Sequence, residues 1–112
     1  MNFSNKKINQ SILLISIDHP RLDASSTPDF KEYFSNVVKS QFSKVVLDLS
    51  SVKFMDSSGL GALIFCLKNM VVNGEIVIVG AQANVLGLFT LTRMDRLFTH
   101  YGELSDVLAE IA

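Results

Sequence analysis

The chain is predicted to fold as one small α/β domain spanning residues 1–112, with a central, mostly parallel or mixed sheet of four to five strands flanked by about four helices. Three observations carry that expectation. Runs rich in Val, Ile and Leu recur at Ser11–Ile17, Lys44–Leu49 and Glu75–Gly80, and continuous apolar runs of this length are what strands buried on both faces of a parallel sheet require. Stretches with apolar residues at helical spacing lie between them, and strands alternating with helices of ten or more residues make a sheet with packed helices and right-handed crossovers. The composition, 48% hydrophobic and 19% charged over 112 residues, supplies a core large enough to fold without staples.

Each element has a local reason. The strand Ser11–Ile17 is expected either to end at Pro20, which cannot donate to a sheet ladder, or to run along an edge. Asp23 to Pro28 reads as a polar loop. A helix is expected to start with Thr27 as N-cap and Pro28 at the first helical position, its apolar face made by Phe30, Phe34, Val37 and Val38. After the strand Lys44–Leu49, the connector Ser50–Met55 leads into Asp56-Ser57-Ser58-Gly59, the expected N-terminus of a second helix running to about Val72, with Asn73-Gly74 as its stop. Leu60, Leu63, Ile64, Leu67, Met70 and Val71 form the stripe expected to face the sheet. The strand Glu75–Gly80, a helix near Ala83–Leu91, a short strand near Leu97–Tyr101 and a helix Glu103–Ile111 complete the chain.

Composition removes several classes of function. The formal net charge is −1 with both signs dispersed, and no basic stripe offers itself to a phosphate backbone, so nucleic acid is not an expected partner. Lys6 and Lys7 precede an apolar run, Ile12 to Ile15, but Ser16 and Asp18 break it and no small-residue cleavage site follows. No stretch approaches the roughly 20 apolar residues of a membrane span; a cytoplasmic protein without membrane insertion is expected. One cysteine, Cys66, cannot form an internal disulfide. Inside an apolar helical pattern it is expected to pack as a small hydrophobe. No His/Cys/carboxylate group has metal-ligand spacing, so neither metal nor cofactor is expected.

One segment carries chemistry: Asp56-Ser57-Ser58-Gly59-Leu60-Gly61. A carboxylate and two hydroxyls immediately before an apolar helical pattern suit capping of orphan N–H groups. Two glycines in a first helical turn run against propensity and ask for a reason. Simple capping with tight helix–sheet packing is one reading. The sharper one makes a serine a phosphoacceptor, since a phosphate adds a charge of about −1.5 to −2 where helix N–H groups and dipole accept an anion.

This segment resembles the phosphorylation motif of anti-sigma factor antagonists, the STAS-domain proteins of bacterial partner-switching systems. Arg21-Leu22-Asp23-Ala24 is similar to the loop after the family's first strand, and Val45-Val46-Leu47-Asp48-Leu49-Ser50 to the strand leading into the motif. Gly74-Glu75 and the stretch from Leu88-Phe89 to Leu97-Phe98 follow in the family's order. The resemblance implies a non-enzymatic switch. Unphosphorylated, it binds an anti-sigma factor that is also its serine kinase, so releasing a sigma factor; phosphorylated, it lets go, and a PP2C-type phosphatase resets it. Carried onto this chain, the phosphoacceptor is Ser57, and the partner-binding residues are Asp23, Asp56, Ser57, Ser58, Gly59, Leu60 and Gly61. Pro20 departs from the family pattern, which often has glycine just before the charged residue of the first loop, so a different bend of that loop is expected.

Two other binding readings stand beside this one: a structural STAS subunit of an ABC-type lipid transporter, and a partner switch with a non-sigma output. An enzyme is not expected. The motif is not the Gly-x-Ser-x-Gly elbow of hydrolases, a nucleophilic serine would need a base from His19 or His100, the only histidines, and Gly59-Leu60-Gly61 lacks the remaining residues of a nucleotide-binding loop. Phe65 and Val72, off the main helical stripe with Gly61 and Lys68 near them, are either ordinary contacts or an extension of a docking patch beside Ser57.

Overall fold

A computed structural model describes residues 2–111. In chain order the elements are β1 (Phe3–Lys7), β2 (Ile12–Ile17), β3 (Arg21–Leu22), α1 (Thr27–Val38), β4 (Lys44–Asp48), β5 (Phe54–Met55), α2 (Ser57–Lys68), β6 (Glu75–Val79), α3 (Ala83–Leu91), a 3₁₀ turn (Met94–Arg96), β7 (Thr99–Tyr101) and α4 (Leu104–Ile111). The main sheet has five strands in the order β1-β2-β4-β6-β7, with β1 antiparallel to β2 and the other pairs parallel. It is the mixed α/β sheet with four helices that the sequence predicts.

The side-chain alternation of the strands divides the core into two layers. Leu13, Ile15 and Ile17 of β2 share one face with Val45, Leu47, Ile76 and Ile78, buried with Phe30 and Phe34 of α1, Leu60 and Leu63 of α2, and Val85 and Phe89 of α3. Ile12, Val46, Val77 and Val79 point the other way and are closed over by Val107 of α4. Removing each such side chain from water contributes about 1.5–3 kcal/mol, and coverage of both faces explains why the three central strands are mostly apolar.

Several local expectations are revised. β1 was not foreseen: Ser4 to Lys7 is exposed, and its anchor is Phe3, whose ring packs 5.7 Å from Phe30 and 5.2 Å from Tyr33. Helix α1 has Ser26, not Thr27, at its N-cap. The Ser26 hydroxyl is held by the preceding loop instead of capping the helix, accepting from the Asp23 N–H at 2.9 Å and donating to the Arg21 carbonyl at 3.0 Å. Helix α2 ends at Lys68, four residues before Val72, because the Asn69 side chain donates back to the Phe65 carbonyl at 2.7 Å and closes the last turn. Its fully buried residues are Gly59, Leu60, Ala62, Leu63 and Cys66, whereas Ile64 and Leu67 are only half-buried; the inward arc is centred one position away from the stripe read from sequence. Cys66 packs in the core as expected, and burial pushes its thiol up to about 12.

Candidate functional site

The parallel strands β2, β4 and β6 all end at one pole of the sheet, the position where open α/β sheets place their sites. Three connections meet there. Gly80 leaves β6 with φ of 71°, a left-handed conformation that suits glycine, and a Cβ at this residue would lie 3.1 Å from the Ser50 side chain. Gln82 donates to the Ser50 carbonyl at 3.1 Å and Asn84 to the Lys53 carbonyl at 2.6 Å, tying the start of α3 to the connection that precedes α2.

A second, two-stranded sheet fixes the rest. β3 and β5 pair in parallel, Arg21 opposite Phe54 and Leu22 opposite Met55. Leu22 and Met55 are buried while Arg21 and Phe54 face outward. The Arg21 guanidinium carbon stands 4.4 Å from the centre of the Phe54 ring, and its Nε donates to Asp23 at 2.8 Å. No sequence pattern announces this arrangement, since strands of two residues have no period to read.

The candidate residues occupy three different depths. Asp56 is the N-cap of α2 and accepts from the Gly59 N–H at 3.1 Å. Ser57, the first helical residue, is exposed, Ser58 half-buried and Gly61 exposed. Among the described residues no hydrogen bond engages the Ser57 hydroxyl, and the first N–H groups of a helix have no intrahelical acceptor. Gly59 and Leu60 lie underneath. A Cβ on Gly59 would sit 2.4 Å from the Leu22 carbonyl oxygen, whereas one on Gly61 would meet nothing within 4 Å. Close packing therefore explains the first glycine and leaves the second unexplained within the chain.

Asp23 stands at the edge of the same surface with its carboxylate engaged by its own loop. It accepts from the Ser25 hydroxyl at 2.7 Å and the Ser25 N–H at 3.1 Å as well as from Arg21. Those bonds, Ser25's first, hold its carboxyl down at about 2 against an ordinary 3.8. His100, on β7, is displaced downward from 6.5 by burial, and among the described residues its Nε2 has no hydrogen-bond partner. Both groups bind protons more weakly in the folded chain, so both are expected to make it less stable in acid. The Asp23 contribution is present above pH 3.8 and fades towards about 2, and that of His100 fades as pH falls below 6.5. Urea midpoints measured across pH should show both windows, and Asp23→Asn should remove the lower one while His100→Gln removes the upper. A midpoint rising on acidification would contradict both assignments.

The remaining sequence candidates fall elsewhere. Phe65 is half-buried with Lys31 of α1 5.3 Å from its ring centre, a contact between helices, and Val72 lies exposed beyond the end of α2. Among the described residues no cluster of three metal-ligating side chains occurs, and no helix is long and apolar enough to cross a membrane. Two surface hollows, one lined by Phe3, Asp29, Glu32, Tyr33 and Asn36 and the other by Thr90, Arg93, Asp95 and Arg96, do not include Ser57.

Comparison with known proteins gives this geometry relatives. A candidate anti-sigma factor antagonist of Thermotoga neapolitana is 27% identical over 101 residues, which cover 88% of this chain and 89% of the relative. The crystal structure of a candidate anti-sigma factor antagonist from Thermotoga maritima superposes with a TM-score of 0.82 at 23% identity, over 96% of this chain and 92% of that one. The Bacillus cell fate determinant SpoIIAA in its phosphorylated form superposes with a TM-score of 0.74 at 13% identity, over 99% of this chain and 100% of that one. The family model for the STAS domain matches residues 4–110, so that the two-layered sheet with its motif at the start of α2 has a family, and the chain belongs to the STAS domain family.

Proposed function

We propose that this chain is an anti-sigma factor antagonist switched by phosphorylation of Ser57. The observation that carries the reading is the difference between the two serines of the motif. Ser57 is exposed at the first position of α2 with its hydroxyl unengaged, and Ser58 beside it is half-buried. A kinase can reach the first without unfolding the helix. In the transfer, the Ser57 Oγ attacks the γ-phosphorus of ATP, its proton passes to a base of the kinase, and ADP leaves. The new phosphate sits over helix N–H groups free to receive it. Modification thus changes the outward surface while leaving the fold in place.

Binding rather than turnover is supported by the open character of the pole. Neither surface hollow includes Ser57, and an exposed serine outside a hollow suits a macromolecule better than a small substrate, which is ordinarily held in a concave apolar pocket. The exposed glycine at position 61 points the same way, since a glycine inside a helix costs up to about 1 kcal/mol relative to alanine and nothing among the described residues occupies the space a side chain would take. Close approach of a partner's backbone gives it a reason. The partner in this reading is an anti-sigma factor with serine-kinase activity, and a PP2C-type phosphatase returns the serine by hydrolysis to inorganic phosphate.

The test is intact-mass analysis after incubation with the kinase and ATP. One phosphate on the wild type and none on Ser57→Ala is the expected result. Phosphate on both proteins would move the acceptor away from Ser57, Ser58 being next in line. With a demonstrably active kinase, phosphate on neither would overturn the switch.

A further inference from the structure

The charged groups around α2 present a difficulty for any phosphate at Ser57. Asp56 is the residue immediately before it, and Asp23 lies on the adjoining loop, so a dianion there gathers with two carboxylates at one pole. Helix N–H groups offset part of this, but Asp56 already takes the Gly59 N–H. A cation on the strand packed against this turn would change the balance, and Arg21 stands on that strand.

The register of the small sheet determines where it points. Arg21 pairs with Phe54 and Leu22 with Met55, and alternation sends Arg21 and Phe54 outward together. Lys53, one residue earlier and outside β5, is also exposed and serves as a neighbouring cation for comparison. The backbone of β3 is pressed against the first turn of α2, because the Leu22 carbonyl oxygen approaches within 2.4 Å of where a Cβ on Gly59 would stand. Arg21 is therefore carried on the strand that touches the turn bearing Ser57. Its guanidinium is held in place twice, by the Phe54 ring at 4.4 Å and through Nε by Asp23 at 2.8 Å. The side chain is 56% exposed, and among the described residues neither Nη group makes a hydrogen bond. A guanidinium stacked on an aromatic face and ion-paired on one edge has lost little further freedom when it binds an oxyanion on its other edge.

We propose that Arg21 is the counter-ion of phosphorylated Ser57, receiving the phosphoryl oxygens on the Nη groups that Asp23 leaves free. This rests on the phosphorylation reading of Ser57 given above and adds a positioning residue to it. Arg21 keeps the phosphate against its own chain, with Phe54 as its platform and Asp23 as its anchor. Neither residue pair is needed for this by the main core, since Arg21 and Phe54 both lie on its outside.

The test uses full-length chain carrying phosphoserine at position 57 by coded incorporation, so that it depends on no kinase. The ³¹P resonance of the phosphoserine is followed through its second ionisation, which lies near pH 6 when unperturbed. A nearby cation favours the dianion, so Arg21→Gln is expected to raise that ionisation by about half a unit to one unit. Arg21→Lys, which keeps the charge but not the flat stacked fork, should raise it less, and Lys53→Gln should leave it where it is. In the wild-type phosphoprotein, added salt should move the value towards that of Arg21→Gln, a measurement that needs no variant at all. An unchanged value in Arg21→Gln overturns the proposal, as does a shift in Lys53→Gln as large as in Arg21→Gln. Failure of the underlying phosphorylation reading would show separately, as absence of kinase-dependent mass at Ser57.

Discussion

Replacing Gly59 by alanine will lower the urea midpoint of unfolding by an amount equivalent to about 1–3 kcal/mol, the usual range for forcing a methyl group into filled space. The two neighbours it would meet differ in how far they can yield. The Met55 Cγ, 2.6 Å away, belongs to a flexible side chain, but the Leu22 carbonyl oxygen, 2.4 Å away, is backbone. β3 cannot retreat alone, because it is paired to β5 and the Lys53 and Phe54 N–H groups donate to the Pro20 carbonyl at 2.8 and 3.1 Å. Either α2 tilts outward or the small sheet opens. Gly61→Ala, two residues further on, is expected to do the opposite, raising the midpoint by about 0.5–1 kcal/mol because a solvent-facing helical glycine is replaced by the best helix former. If the surface at Gly61 is used by a partner, the same variant binds that partner more weakly while being more stable. Circular dichroism during urea titration reads both stabilities. An unchanged midpoint for Gly59→Ala would mean that β3 gives way without cost, and would remove the reason offered for that glycine.

The contrast between these glycines also marks how far the sequence could be read. The three buried parallel strands declare themselves because burial on both faces demands unbroken apolar runs, and β2, β4 and β6 fall within a residue of where those runs lie. β1 does not, since its exposed Ser4, Asn5, Lys6 and Lys7 carry no pattern and its place is set by one aromatic residue meeting α1. The motif at the start of α2 was legible as a capped helix N-terminus, with Asp56 doing the capping. Which glycine packs and which is open was not, because the answer depends on a strand contributed by a distant part of the chain. The same holds for Asp23, a loop aspartate in sequence and a threefold acceptor in space. Ser26 in place of Thr27 at the cap of α1 shows the limit from the other side. Both residues are good caps, and the choice follows from bonds to Arg21 and Asp23 that only the closed loop supplies.

On the proposed function, phosphorylation of Ser57 is expected to weaken the complex with the anti-sigma factor kinase by about 100-fold or more without changing the chain's own unfolding midpoint by a comparable amount. The asymmetry follows from where the charge goes. In the free chain the phosphate stays at the surface at the first turn of α2, where N–H groups and the proposed contact with Arg21 favour it, so the fold loses little. In the proposed complex the same group would be carried out of water into the interface, with about −1.5 to −2 charges that the unmodified surface did not have. Taking an unpaired charge out of water costs several kcal/mol, and each 1.4 kcal/mol is a factor of about ten in affinity. Calorimetric titration of unmodified, phosphorylated and Ser57→Ala chain into the kinase separates steric from electrostatic causes. Ser57→Ala should bind as tightly as the unmodified chain, since the exposed hydroxyl makes no bond that holds the helix. Ser57→Asp brings one charge on a shorter arm and should weaken binding by about tenfold. Equal affinities for the phosphorylated and unmodified chains would show that the partner meets a different surface, and the exposed serine at the head of α2 would then have to act on something other than this complex.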